Sequence, residues 1–408
     1  MIIGAGVYSV IGPAAGVAQQ GLWLSFVMGA VVALLTALSY AEMATAFPAA
    51  GAEYVYLRHA LPDAGWAPFC IGALILLGGA AAATTVAVAF GGYLKVFLDV
   101  PVTLSALALL VVCTGFNLWG LQESSWANIL FTIVEVAGLV LIIAAGIAHD
   151  NIGEQLMVSS LAGVVPAATI LFFVYLGFEE VANLAEEVRY PARDLPRAMF
   201  ISIGITTVLY VLVSLSVIGL ATPDELATSE APLAMAIQKV WPGAGNVLAG
   251  IALFATANTV LITLIAASRL AFSMSRDGEL PMLFAKITVN RQSPLLAIVL
   301  AFVTSAVFLP IGNLKILAEL ASFSALLAFL GVNVALIILR YRLPEHPRPF
   351  LVPLTIGRMP ILPLAAISSI GVLLINFDRS IYFTGIGALA FIGLAYWIRR
   401  QWRRAAML

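Results

Sequence analysis

Two stretches decide how this chain is read: Ile2-Ile3-Gly4-Ala5-Gly6-Val7-Tyr8 at its start and Tyr175-Leu176-Gly177-Phe178-Glu179-Glu180 near its middle. Each interrupts an apolar run. Glycine costs a helix interior about 1 kcal/mol relative to alanine, and two adjacent carboxyls at membrane depth cost more. A helix broken there exposes free N–H groups where one half starts and free carbonyls where the other ends. Interruptions at matching places in two halves of a membrane chain point to a transporter substrate site. Free donors beside free acceptors suit a small zwitterion such as an amino acid.

Composition makes the bilayer the solvent. The chain has 408 residues, 62% hydrophobic and only 10% charged, with a mean hydropathy of +1.05; globular proteins carry roughly 25% charged residues. The net charge of −1 carries no message about partners, and the absence of a basic run argues against nucleic acid. Cys70 and Cys113 lie in apolar segments and imply no disulfide framework. The three histidines are scattered, which argues against a metal centre. The sequence shows neither a nucleophile–base pair nor a phosphate loop, so neither enzyme chemistry nor a cofactor is expected. The apolar start has no basic leader, so no cleaved signal peptide is expected.

Roughly 20 apolar residues make one membrane span. On that measure the chain holds a partial span from Met1 to about Gln19 and eleven full ones, over 21–47, 64–94, 102–119, 125–148, 161–187, 195–220, 243–274, 293–310, 316–341, 359–376 and 381–398. Turn and polar clusters separate them, and within the longest, Thr222 to Trp241, the stretch Pro232–Ile237 reads as a short amphipathic helix on the outer face. With the first span running outward, only Lys95, Lys239, Lys315 and Arg379 of the twenty Lys and Arg fall outside; the other sixteen fall inside. This bias sets the orientation and puts the C-terminus in the cytoplasm of a multi-pass cell-membrane protein.

Several motifs, in order, resemble the amino acid–polyamine–organocation superfamily, specifically its bacterial amino acid permeases. They are Gly4-Ala5-Gly6-Val7-Tyr8; Ser39-Tyr40-Ala41-Glu42-Met43 with Pro48, Gly51 and Glu53-Tyr54-Val55-Tyr56; Asn117-Leu118-Trp119-Gly120; Leu176-Gly177-Phe178-Glu179 with Glu186-Glu187-Val188; and Arg269 with Met274 to Pro281. The resemblance implies an all-α membrane protein with a five-plus-five inverted-repeat transporter fold, helices one and six broken, and two extra helices. The repeats are expected over 1–148 and 161–341, with 342–408 holding helices eleven and twelve and a cytoplasmic tail. Family members carry a half-helix before the first break, where this chain has Met1-Ile2-Ile3; the first helix is therefore expected to be truncated, as when an internal methionine is taken for the start.

The resemblance also assigns roles. The substrate carboxylate is expected on the N–H groups of Ala5, Gly6 and Val7, within the Ile3–Gly4–Ala5–Gly6–Val7 break. Its ammonium is expected on carbonyls near Ile3 and at Phe173, Val174 and Leu176, with Gly177 supplying the second break and Phe178 resembling a lid. Glu179 is read first as a structural partner for loose N–H groups. Glu135 interrupts an apolar fifth span where some proton-coupled relatives carry a lysine. Two roles stay open for it: proton coupling, or a permanently protonated structural acid. Asn258 and Thr259 are either a packed polar pair or ligands of a sodium ion. The function expected is secondary transport of small neutral amino acids, coupled to protons or exchanging, with sodium as the other ion. A cationic amino acid or polyamine exchanger and a permease-like nutrient sensor are the alternatives.

Overall fold

A computed structural model of the chain describes residues 2–48, 51–119, 125–149, 160–185, 188–287 and 293–405. Its helices in chain order are α1 (Gly6–Ala18), α2 (Leu22–Ala46), α3 (Ala52–Ala60), α4 (Trp66–Leu94), α5 (Val102–Trp119), α6 (Ser125–Ala148), α7 (Val164–Leu171), α8 (Glu180–Asn183), α9 (Pro191–Leu220), α10 (Pro223–Thr228), α11 (Pro232–Gln238), α12 (Ala244–Arg276), α13 (Leu295–Phe308), α14 (Leu314–Arg342), α15 (Ile361–Leu374) and α16 (Arg379–Ala405). A two-residue ribbon, Thr355–Ile356 against Met359–Pro360, is the one sheet among the described residues. The chain is thus an all-α, multi-pass membrane protein.

Among the described residues, nine stretches are long and apolar enough to cross a membrane. The first, Gly6–Ala46, is α1 and α2 joined by a 3₁₀ turn at Gln19–Gly21, where Gln19 takes φ +52°. The spans expected over 293–310 and 359–376 are shorter than read: α13 and α15 have 14 residues each. Prolines bound both: Pro294 precedes α13 and Pro310 follows it in a 3₁₀ turn, while Pro360 precedes α15.

Two expected loops hold helices. Between Pro48 and Pro62 lies α3, with Glu53 in its first turn and Arg58 and His59 in its last, which suits the helix dipole. Between Thr222 and Trp241 lie α10 and α11. Thr222 and Glu225 close a capping box on α10. The Pro232–Ile237 stretch is helical as read, but in α11 Pro232, Leu233, Ala234, Ala236 and Ile237 are all buried, so it packs into the protein.

The interior is layered around α4, which packs most heavily on α12 and α14, while α2 packs on α9. One buried ionic knot joins α2, the end of α14 and the segment after it. Glu42, fully buried, accepts from Arg340 on both carboxylate oxygens, at 2.9 Å from Nε to Oε1 and through a shorter bond from Nη2 to Oε2. Arg348 Nη1 donates to Oε1 at 3.1 Å and the Val352 N–H donates to Oε2 at 2.8 Å. A buried charge is tolerable only when paired and hydrogen-bonded, and here every carboxylate lone-pair direction is used. Removing one partner of such a knot leaves uncompensated guanidinium groups and costs about 3–5 kcal/mol. Glu42→Ala should therefore lower the thermal unfolding midpoint in detergent micelles by several degrees, and Ala substitution of exposed Arg193 should not; equal midpoints would mean the knot contributes nothing.

Candidate functional site

The two breaks meet. Along the second interruption, α7 tightens into a 3₁₀ turn at Phe172–Tyr175, Leu176 swings to an extended conformation (φ −60°, ψ 137°), and Gly177 takes φ +115° before α8 begins. Only glycine adopts that φ without strain. Across from it, Gly6 opens α1, and a Cβ built there would lie 3.1 Å from the Val174 Cα. Glycine at position 6 is thus what lets the two interrupted backbones touch.

Hydrogen bonds around this contact leave a defined set of backbone groups open. Ser9 N–H closes the first turn of α1 on the Ala5 carbonyl, so the N–H groups of Gly6, Val7 and Tyr8 are the turn's unpaired donors; none has a partner among the described residues. The carbonyls of Ile3, Val174 and Leu176 likewise have none. Two groups expected to be open are engaged. The Ala5 N–H donates to Thr259 Oγ1 at 3.2 Å, and the Phe173 carbonyl accepts the Leu176 N–H at 3.3 Å. The open donors therefore shift one residue along, from Ala5–Val7 to Gly6–Tyr8.

Side chains hold the first break in place from three directions. Tyr210 on α9 donates to the Ile2 carbonyl at 2.7 Å, Tyr93 on α4 to the Tyr8 carbonyl at 3.0 Å, and Tyr8 itself to the Glu135 carbonyl on α6 at 2.8 Å. These tyrosine side chains were not assigned roles from sequence; the available signal is that a phenol on a largely apolar helix needs a partner when buried. Thr259, read either as part of a packed polar pair or as an ion ligand, accepts the Ala5 N–H and so joins α12 to the break, and its carbonyl accepts from Thr263 at 2.8 Å.

Glu135 lies beside this break. It is 2% exposed, and Oε1 has no hydrogen-bond partner among the described residues. Asn258 of α12 and the phenols of Tyr8 and Tyr210 are its polar neighbours. Glu179 serves the second break: its Oε2 accepts the Gly177 N–H at 2.8 Å. Phe178, fully buried, stands edge-on to Tyr40 (centroids 5.7 Å apart) and tilted against Phe329 (5.3 Å). Glu186 and Glu187, of the motif at the second break, lie outside the described residues; Arg193, further on, pairs with its neighbour Asp194 at 2.7 Å.

A membrane-embedded helical protein with two touching breaks and free donors and acceptors where they meet has the build of a solute transporter. The comparisons place it more closely. The family model for amino acid permeases matches residues 1–392. The chain is similar to the branched-chain amino acid permease BcaP of Bacillus subtilis, 31% identical over 393 residues, covering 90% of this chain and 83% of that one. It is similar to the methylthioribose transporter of the same organism, 29% identical, with 91% and 84% covered, and to the vacuolar cationic amino acid transporter 4 of Arabidopsis thaliana, 32% identical, with 84% and 61% covered. The chain belongs to the amino acid permease family, within the amino acid–polyamine–organocation superfamily. These relatives are transporters rather than enzymes.

The bond from Gly177 to Glu179 makes a local prediction. Glu179→Ala strands a part-buried N–H, at about 1 kcal/mol, whereas Glu179→Gln keeps an acceptor in place. Thermal unfolding should show a clear loss for alanine and a much smaller one for glutamine; identical losses would mean the carboxylate's charge, not its bond to Gly177, is what counts.

Proposed function

We propose that the chain is a secondary transporter of small neutral amino acids across the cell membrane, working by alternating access and coupled to protons or exchanging. The observation that carries this reading is the meeting of unpaired N–H groups at Gly6, Val7 and Tyr8 with unpaired carbonyls at Ile3, Val174 and Leu176. Backbone groups without partners at membrane depth are tolerated only where they line a site. An amino acid carboxylate fits the three donors at the positive end of α1, and its ammonium fits the three carbonyls. Phe178 closes over it. The similarity to a branched-chain permease favours an apolar substrate side chain.

In this reading 1–148 and 161–341 are inverted repeats and 342–408 carries the last two helices and a cytoplasmic tail. The lysine and arginine bias puts the ends of α2, α14 and α16, and the short helices α3 and α8, on the cytoplasmic side, with α10 and α11 outside. Glu135 carries the proton: its carboxyl is dry and partly unpartnered, with Asn258 beside it, and its main-chain carbonyl accepts from Tyr8 at the break. The sodium alternative would use Thr259, whose Oγ1 accepts the Ala5 N–H, together with Asn258. A second reading, transport of cationic amino acids, draws on the similarity to the Arabidopsis transporter; competition of labelled leucine uptake by arginine separates the two.

Two substitutions test the site and the coupling. Gly6→Leu forces the breaks apart at Val174, and binding of labelled leucine by purified protein should weaken by tenfold or more, about 1.4 kcal/mol; near-normal affinity overturns the site. Glu135→Gln keeps size and hydrogen bonding but cannot release a proton. In liposomes it should abolish accumulation driven by a pH gradient while leaving leucine exchange intact. A variant that still concentrates leucine like wild type makes Glu135 structural.

A further inference from the structure

Glu53 occupies a junction that the site described above does not use. It lies in the first turn of α3, outside the membrane-crossing stretches, and is 5% exposed. Tyr40 of α2 donates to its Oε1 at 2.9 Å. The same Tyr40 ring stands edge-on to Phe178 at 5.7 Å and to Phe329 at 5.5 Å. A single side chain thus connects an acid near the cytoplasmic end to the aromatic that follows the second break. A second link runs in parallel. Asn183, the last residue of α8, accepts the N–H groups of Gly51 and Ala52 at 3.0 and 2.9 Å and donates to Glu180 at 3.0 Å. The start of α3 and the far side of the break are therefore fastened together.

The groups facing Glu53 are acids and phenols. Tyr40 comes from α2, Tyr56 from one turn along α3, and Glu179 and Glu180 from beyond the break. The Tyr56 hydroxyl is buried without a partner among the described residues. α4 brings no charged residue. Nearby cations are turned elsewhere: Arg58 to Asp277 at 3.6 Å, Arg342 of α14 to the Ala60 carbonyl at 2.9 Å, and His59 against the Phe47 ring. Glu53 thus has two further carboxyls for neighbours, and none of these cations is bonded to it.

We propose that Glu53 is a positioning residue for transport: when neutral it stays buried and keeps Tyr40 and Phe178 packed, and when ionised it moves toward water, drawing the donating Tyr40 with it, so that Phe178 is unseated and the cytoplasmic end of the broken helix loosens. The proposal rests on reading Phe178 as the aromatic that closes over the substrate. Burial pushes the Glu53 carboxyl up to about 7, with Glu180 adding to the rise. An acid raised in this way favours the closed arrangement when protonated. That preference is complete below the ordinary carboxyl range and is lost as pH rises through about 7. A protonated, closed form facing an acidic exterior and an ionised, opening form facing a neutral cytoplasm is the order that inward delivery needs.

The test measures a distance rather than transport. Cys70 and Cys113 are replaced by alanine, and spin labels are placed at Leu184→Cys, just beyond α8, and Arg276→Cys, at the end of α12; both positions are exposed. Electron–electron resonance distances are taken without substrate at about pH 5.5 and about pH 8, on either side of the Glu53 range. The wild type should shift toward a longer-distance population at the higher pH, Glu53→Gln should keep the short population at both, and Glu53→Asp, which still titrates, should recover the shift. A wild type that does not respond, a Glu53→Gln variant that responds normally, or an aspartate variant frozen like glutamine each overturns the proposal. Binding of labelled leucine by the same wild-type samples reports on the site separately: its absence overturns the substrate-site reading, whereas a normal pH response in Glu53→Gln overturns the role of Glu53.

Discussion

Everything in this molecule is arranged around the contact between Gly6 and Val174, where two interrupted helices touch backbone to backbone. The bilayer offers no water to satisfy a peptide group, so a break at membrane depth is a liability wherever it is not enclosed. The chain encloses it by committing neighbours from many elements. Tyr210, Tyr93 and Thr259 each spend their one useful side-chain group on the first break, and Glu179 spends its carboxylate on the second. Individually such bonds are worth about 0.6 kcal/mol in a membrane, too little to explain four of them by stability alone. Their common effect is geometric: they satisfy the groups at the margins of the contact and leave the central donors and acceptors unmatched.

That division explains what could be read in the chain beforehand. The breaks, the placement of apolar runs and the isolated acid at position 135 are local properties, visible because glycine and glutamate are expensive in an apolar helix. The shift of the open donors by one residue was not legible, because it depends on Thr259 reaching Ala5 across 254 positions of sequence. The same holds for Asn183, which looks like an ordinary polar residue at a helix end until Gly51 and Ala52 are brought to it. The helices α13 and α15 are shorter than their apolar runs for a different reason. Pro294 and Pro360 fix where each helix begins, and composition alone does not register that limit.

Charge is used in two ways that differ in consequence. The knot of Glu42 with Arg340 and Arg348 is dry and fully bonded, so it is insensitive to salt and costly to break. The pairs at the opposite end, Lys95 with Glu230 at 2.9 Å and Lys239 with Glu225 at 2.6 Å, are exposed, and exposed pairs contribute about 0–1 kcal/mol. They sit at the segment carrying α10 and α11, which lies against α1: the Leu226 carbonyl comes within 2.5 Å of where a Cβ of Gly12 would stand. Close backbone packing with weak ionic fastening permits a segment to seat tightly and still be released. The knot at the other end does not release so easily.

The asymmetry bears on how the two ends of a transporter of this class can open. If the knot around Glu42 keeps α2, α14 and the segment after α14 together throughout the cycle, motion at that end has to occur elsewhere. The neighbouring elements without such a knot are α8 and the start of α3. α8 is four residues long, too short to be stable by itself, and it is held by Asn183 and by the packing of Phe178. Those attachments converge on Tyr40 and Glu53. A short helix beyond a glycine in a left-handed conformation, flanked by a densely bonded ionic joint, has few attachments of its own. The two kinds of attachment come from one helix: α2 carries Glu42 and Tyr40 two residues apart, one bonded to arginines and the other to a buried carboxyl.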